Sequence, residues 1–311
     1  MELEPEFMRD AQEIRAEIRQ TRHRKELRLY RWLIVLGGLG VLILITRSSS
    51  APSLEDLLSV YNGRTDIAFA LWCVYFVMSL FSGVGAIFIM LITLIVSYYR
   101  YYAGQLAYSV RVSETNFPEI YAKVRQYTEL LGFKKEPEVY VRQMNGQINA
   151  YASWVPGKTF IQLNAEIVDL AYMENRDFDT VFFIMAHEFG HIFLHHVQLQ
   201  YIFWPRLGTS FPIIGQLVYH GWERAREYSA DRVAQALTEN KAAVPAMMML
   251  SAGRHAYRYL DAEDYLARIT APQGPLVLFF RWCINFFGSH PIHPYRVAAI
   301  LDPGKHSGRL V

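Results

Sequence analysis

Apolar and polar positions divide the chain into two regimes. From Leu29 to Thr46 the sequence is apolar apart from Arg31, and from Ile67 to Tyr99 it carries no charge over 33 residues. At about 1.5 Å per helical residue the first run spans about 27 Å. That approaches the hydrocarbon layer of about 30 Å, with Arg31 reaching to the interface. The second run would be about 50 Å long as one helix. It predicts a single helix, tilted or kinked near Gly83 and Gly85, whose last turns leave the bilayer. Tyr98, Tyr99, Tyr101 and Tyr102 would then sit at the interface. Residues 9–31, ahead of both runs, are charged and helix-prone and read as a solvated amphipathic helix.

Beyond residue 109 the periods are shorter. Ser113–Leu131 has helical spacing and ends at Gly132. Glu138–Arg142 alternates like a strand. Gln147–Ser153 and Lys158–Leu163 read as two more strands, joined at Pro156-Gly157. Asn164 can cap a short helix through Leu170, and Asp177 or Asp179 a longer one reaching about Leu199. Trp222–Thr238, Lys241–Tyr259 and Tyr295–Leu301 also read as helices. Between Leu199 and Trp222 the chain is apolar but broken by Pro205, Arg206, Gly208 and Pro212. This predicts an apolar hairpin at about 199–221 that lies on the membrane or covers the site. Leu276–Phe287, interrupted by Arg281, is expected to dip into the same interface. The fold class is α+β, mostly helical. Residues 1–109 hold the basic helix and two transmembrane helices (about 29–46 and 67–99), and residues 110–311 form a domain with a small β-sheet.

Composition sharpens this picture. Of 311 residues, 52% are apolar and 19% charged, against about 25% charged in ordinary soluble chains. The excess lies in the runs above, so the chain is neither disordered nor wholly membrane. A net charge of +2 without a basic stripe argues against nucleic acid as a partner. Arg15, Arg19, Arg22, Arg24, Lys25, Arg28 and Arg31 precede the first run, whereas the loop at 47–66 has only Arg47 and Arg64 as positive residues. The positive-inside rule places the N-terminus and everything after Tyr102 in the cytoplasm. Two cysteines, Cys73 and Cys283, form no disulfide framework and suit a reducing compartment.

The chemistry concentrates in His187-Glu188-Phe189-Gly190-His191. Histidines at i and i+4 project from one face of a helix, so both imidazoles can reach one metal ion. Glu188 stands beside them and can take a proton from a metal-bound water. A third ligand is needed, and the next candidates are Glu227 and, one turn earlier, Glu223. Asp231, at i+4 from Glu227, can accept the outer N–H of a ligating histidine. The bland alternative is that these acids pair with Arg224, Arg226 and Arg232 on a solvated surface. His195 and His196 merely extend the metal helix; His195 keeps its face but lies a turn too far.

HEFGH followed by EYSAD resembles the HExxH…ExxxD arrangement of gluzincin metallopeptidases. With membrane anchoring, it resembles the HtpX and CAAX prenyl protease type. Asn149-Ala150-Tyr151-Ala152 with Pro156-Gly157 is similar to that family's strand before the metal helix. Ser289-His290-Pro291 with Arg296 is similar to its C-terminal segment, one residue shorter. The resemblance implies a zincin-like domain and one Zn2+ per chain held by His187, His191 and Glu227. It further implies Glu188 as general base, Asp231 behind the ligands and the Asn149–Ala152 strand as an edge for substrate. It brings His290 near the site, as an oxyanion or metal-region group or simply a cap; His293 is an ambiguous second candidate. Arg296 would hold this segment to the domain by an ion pair. The family departs from this chain in placing further membrane helices after HExxH.

The expected function is a membrane-anchored zinc endopeptidase acting on membrane or misfolded proteins, in a bacterial inner membrane with its catalytic domain cytoplasmic. Its partners would be a polypeptide substrate and the lipid bilayer, and self-association stays open. The alternative is a latent or non-enzymatic zinc module that recruits a partner, with His290 or Glu223 closing the coordination sphere.

Overall fold

The computed structural model describes residues 5–48, 53–60, 64–80, 83–173, 178–238, 242–288 and 290–302. Ser289, Asp177 and Lys241, each named above, lie outside them. The N-terminal part contains α1 (Pro5–Gln20), α2 (Glu26–Ser48), α3 (Leu54–Val60), α4 (Thr65–Leu80) and α5 (Gly83–Tyr108). The remainder runs β1 (Val110–Arg111), α6 (Pro118–Leu131), β2 (Glu138–Arg142), β3 (Ala150–Val155), β4 (Lys158–Asn164), α7 (Ala165–Tyr172) and α8 (Phe178–Phe193). Then follow α9 (Leu199–Gly208), α10 (Ile214–Thr238), α11 (Ala243–Ala256), α12 (Ala262–Thr270), α13 (Pro275–Phe287) and α14 (His293–Leu301). The chain is thus mostly helical around one small sheet.

The charged N-terminal stretch is not one solvated helix. It breaks between Gln20 and Glu26, and Ile18, Thr21, His23 and Glu26 are buried. Ile18 joins the main core, while Arg15 Nε donates to the Leu130 carbonyl at 2.7 Å. The uncharged run expected as one helix over 67–99 is divided between α4 and α5, and α5 continues to Tyr108. Gly85–Tyr108 is long and apolar enough to cross a membrane, and its apolar window holds no fully buried residue. Among the described residues no other helix meets that measure. The first expected crossing falls in α2, which packs closely on α9: a Cβ on Gly208 would lie 2.9 Å from Leu33 Cδ2. The apolar stretch 199–221 consists of α9 and the first turns of α10, with Pro205 inside α9.

The sheet order is β1-β2-β4-β3. β3 and β4 form an antiparallel hairpin closed at Pro156-Gly157, where Gly157 takes φ 84°. Glycine accepts that left-handed conformation without a steric penalty. β3 begins three residues later than the sequence suggests and forms one edge of the sheet. α6 begins at Pro118 rather than Ser113, because Phe117 turns left-handed (φ 62°) and proline suits the first helical turn. Asn164 precedes α7 but does not cap it. Its side chain instead donates to the Gln147 carbonyl and accepts from Gln162. Gly253 (φ 87°) breaks α11 near its end.

The core lies between the sheet, α6, α8, α10 and α11. Phe183, Met185, Phe189, Val233 and Met249 are fully buried within it. α8 and α10 approach until a Cβ on Gly190 would stand 3.2 Å from the Ala230 carbonyl oxygen. That close crossing sets the helix of His187 and His191 face to face with that of Glu227.

Candidate metal centre

α8 carries His187 and His191 one turn apart, and both point toward α10. Their Nε2 atoms lie 3.2 Å from each other. Glu227 on α10 faces both, with Oε2 3.4 Å from His187 Nε2 and Oε1 3.4 Å from His191 Nε2. One ligand atom from each of the three lies within 4.8 Å of the others, and all three side chains are buried. Glu223 lines the same cavity but sits 3.9 Å from His220 Nδ1, at its rim. The geometry therefore gathers Glu227 rather than Glu223 with the histidines.

Behind the triad each imidazole is braced. Asp231 Oδ1 lies 2.9 Å from His187 Nδ1. Arg296 donates to Asp231 from Nε at 2.8 Å and from Nη2 at 2.6 Å, and its Nη1 lies 3.7 Å from Glu227. The expected ion pair of Arg296 thus has Asp231 as its partner. Burial pushes the Asp231 carboxyl up, but Arg296 and His187 outweigh it and hold it at about 2. Glu227 is likewise raised by burial and then drawn well below the carboxylate range by His187, His191 and His290. Both acids are anions at neutral pH.

The donor set fits a divalent ion. The inner Nε2 atoms of His187 and His191 face each other and the anionic Glu227 carboxylate. Two imidazole nitrogens and a carboxylate oxygen converge on one point, which is the set that a zinc site uses.

His290 is exposed, with Nδ1 3.1 Å from Glu227 Oε2. His293 faces elsewhere, its Nδ1 2.8 Å from Ser251 Oγ. Glu188 is buried and lines a cavity of about 300 Å³ together with the ligands, His290 and Arg296. Asn149, Ala150, Tyr151 and Ala152 line the same cavity, so the edge strand runs beside α8. Asn149 stands just before β3 and donates from Nδ2 to the Tyr151 hydroxyl at 2.8 Å.

Two groups escaped the sequence reading. α8 ends at Phe193, not near Leu199. His195 adopts φ 65°, His196 N bonds to the His191 carbonyl and His195 N to that of Ile192. This is a Schellman reversal with a non-glycine residue in the left-handed position. It leaves His195 exposed and turns His196 back behind its own helix, fully buried with Nδ1 2.9 Å from His191 Nδ1. Likewise Arg224 does not lie on a solvated surface. It is buried, and its Nη1 donates to the Asn285 and Phe286 carbonyls at 2.9 and 2.7 Å, fixing the segment before His290. A left-handed histidine has no sequence signature, whereas the burial of Arg224 had a weak one, its place on the inner face of α10.

Residues 114–303 match the family model described as peptidase family M48. No curated protein and no solved structure gives a match. The matched segment covers more than half of the chain and includes every residue of the metal centre described above.

Proposed function

The chain belongs to peptidase family M48, and from that premise we propose that it is a membrane-anchored zinc endopeptidase. The observation carrying this reading is the convergence of His187, His191 and Glu227 beside Glu188, in a cavity walled by an edge strand.

His187, His191 and Glu227 would hold the zinc ion, with Asp231 and Arg296 orienting His187 from behind. Zinc in that position supplies Lewis acidity to a scissile carbonyl and acidifies a water molecule. Glu188 takes the proton of the attacking water and passes it to the leaving amine. The edge of β3 pairs with an extended polypeptide through main-chain hydrogen bonds, which holds a peptide without reading its side chains. His290, exposed at the rim, donates to the oxyanion as it forms.

The substrates in this reading are membrane proteins or misfolded segments near the bilayer. α5 supports the membrane anchorage, because Gly85–Tyr108 is long and its apolar window holds no buried residue. The first apolar run in α2 is read as a second crossing. The excess of arginines before it keeps the N-terminus and the peptidase domain cytoplasmic, in a bacterial inner membrane.

The test is proteolysis of an unfolded model protein by the full chain in detergent, with metal content measured in parallel. Glu188→Gln should retain stoichiometric zinc and lose cleavage. Undiminished cleavage by that variant would overturn the assignment of Glu188.

A further inference from the structure

The first residue of α2 reaches the metal centre behind His191, whereas Arg296 lies behind His187. Glu26 is fully buried, and its Oε1 lies 3.0 Å from His196 Nε2. His196 Nδ1 in turn lies 2.9 Å from His191 Nδ1, and His191 Nε2 faces the triad. Arg22 Nη1 binds the same Glu26 oxygen at 2.6 Å, and Ser229 Oγ donates to the other. Arg22 also ties itself to the domain through the Leu194 carbonyl at 2.8 Å.

With Glu26 ionised beside Arg22, one proton arrangement satisfies this line of atoms. Glu26 accepts from His196 Nε2–H, which leaves His196 Nδ1 as an acceptor. That nitrogen accepts from His191 Nδ1–H, and His191 Nε2 is left with its lone pair toward the metal position. The bare carboxylate therefore sets two tautomers in succession. A carboxylate behind a ligating imidazole fixes its ring and raises its basicity; here an intervening imidazole carries that influence one step further.

We propose that Glu26 is a positioning residue for the metal centre, acting on His191 through His196. It lies outside the segment that matches the peptidase family, which begins at residue 114. On this account the N-terminal segment is part of the metal site as well as an anchor. The inference rests on the zinc reading above, and the experiment separates the two.

The full chain in detergent is titrated with zinc against a competing chromophoric chelator, as parent, Glu26→Gln, Glu26→Asp, His196→Phe and the double variant Glu26→Gln/His196→Phe. Glu26→Gln is expected to weaken zinc about 10–100-fold and to move the visible bands of the cobalt-loaded chain. Glu26→Asp keeps the charge and recovers part of the affinity. The double variant should bind no more weakly than His196→Phe alone, because both act through one path. Apo-protein melting curves accompany each titration. If Glu26→Gln does not fold, Glu26→Asp decides: affinity equal to the parent's in a folded aspartate variant overturns the relay. So does unchanged zinc affinity in Glu26→Gln, or additive losses in the double variant. A parent that takes up no zinc overturns the metal-centre reading itself.

Discussion

Arg296 grips Asp231 with two hydrogen bonds, at 2.8 and 2.6 Å, inside the protein, and Asp231 faces the outer nitrogen of His187. The pair joins α14 to α10 and decides how one metal ligand is held. Removing one member of a buried ion pair leaves the other charge uncompensated, a loss of about 3–5 kcal/mol. Arg296→Met should cost that much in denaturant unfolding. Arg296→Lys retains the charge without the planar fork and should fall in between. If Arg296→Met/Asp231→Leu unfolds no more easily than Arg296→Met alone, the two losses share one interaction.

Gly190 is where α8 and α10 touch, with Val233 Cβ 3.1 Å and Ala230 Cα 3.2 Å from the position of an added Cβ. Gly190→Val must push the helices apart, and overpacking of this kind costs about 1–3 kcal/mol. Because His191 and Glu227 sit on the two separated helices, zinc uptake should suffer more than stability. Equal zinc affinity in a folded Gly190→Val chain would show that the crossing does not set the ligand distance.

His195 holds a left-handed backbone without being glycine. A non-glycine residue spends about 1–2 kcal/mol there. His195→Gly should relieve part of it and raise the melting temperature by a few degrees, about 2–4 °C per kcal/mol. Since the His195 side chain is exposed, cleavage should be unchanged. A lower melting temperature would contradict the strained reversal.

At the other end of the sheet, Glu138 receives hydrogen bonds from Tyr102, Tyr140 and Lys158, each at 2.8–2.9 Å. Burial raises its carboxyl, but these donors prevail and hold it below its ordinary value of 4.5. A depressed acid stabilises the fold above its unfolded pKa, and that contribution fades as the pH falls through the folded one. The docking of α5 on β2 should therefore weaken below about pH 4.5. Glu138→Gln should remove this part of the acid sensitivity, which a melting series between neutral and acidic pH would read.

Much of the centre was legible because its geometry is local. Two histidines four residues apart share a helix face whatever surrounds them, and Glu227 and Asp231 repeat that logic on α10. The choice between Glu227 and Glu223 was not local; it depends on how α8 crosses α10 at Gly190. The N-terminal charges were misread because ionised side chains are seldom fully buried, yet Glu26 is buried among Arg22, His196 and Ser229. His196 was dismissed by helical arithmetic that assumed α8 continues. The reversal at His195 voids that arithmetic, and no residue near it announces the turn.

The two ligand histidines are backed from opposite ends of the polypeptide. His187 leans on Arg296 through Asp231, while His191 reaches Glu26 across a separation of 170 residues between Glu26 and His196. A nascent chain that has delivered the HEFGH helix already holds Glu26 and the two histidines, but neither Glu227 nor the Asp231–Arg296 brace behind His187. The site matures only once synthesis has passed residue 296 and the N-terminal segment has folded back. A chain cut short at either end keeps the HEFGH helix but loses the brace behind one of its two histidines.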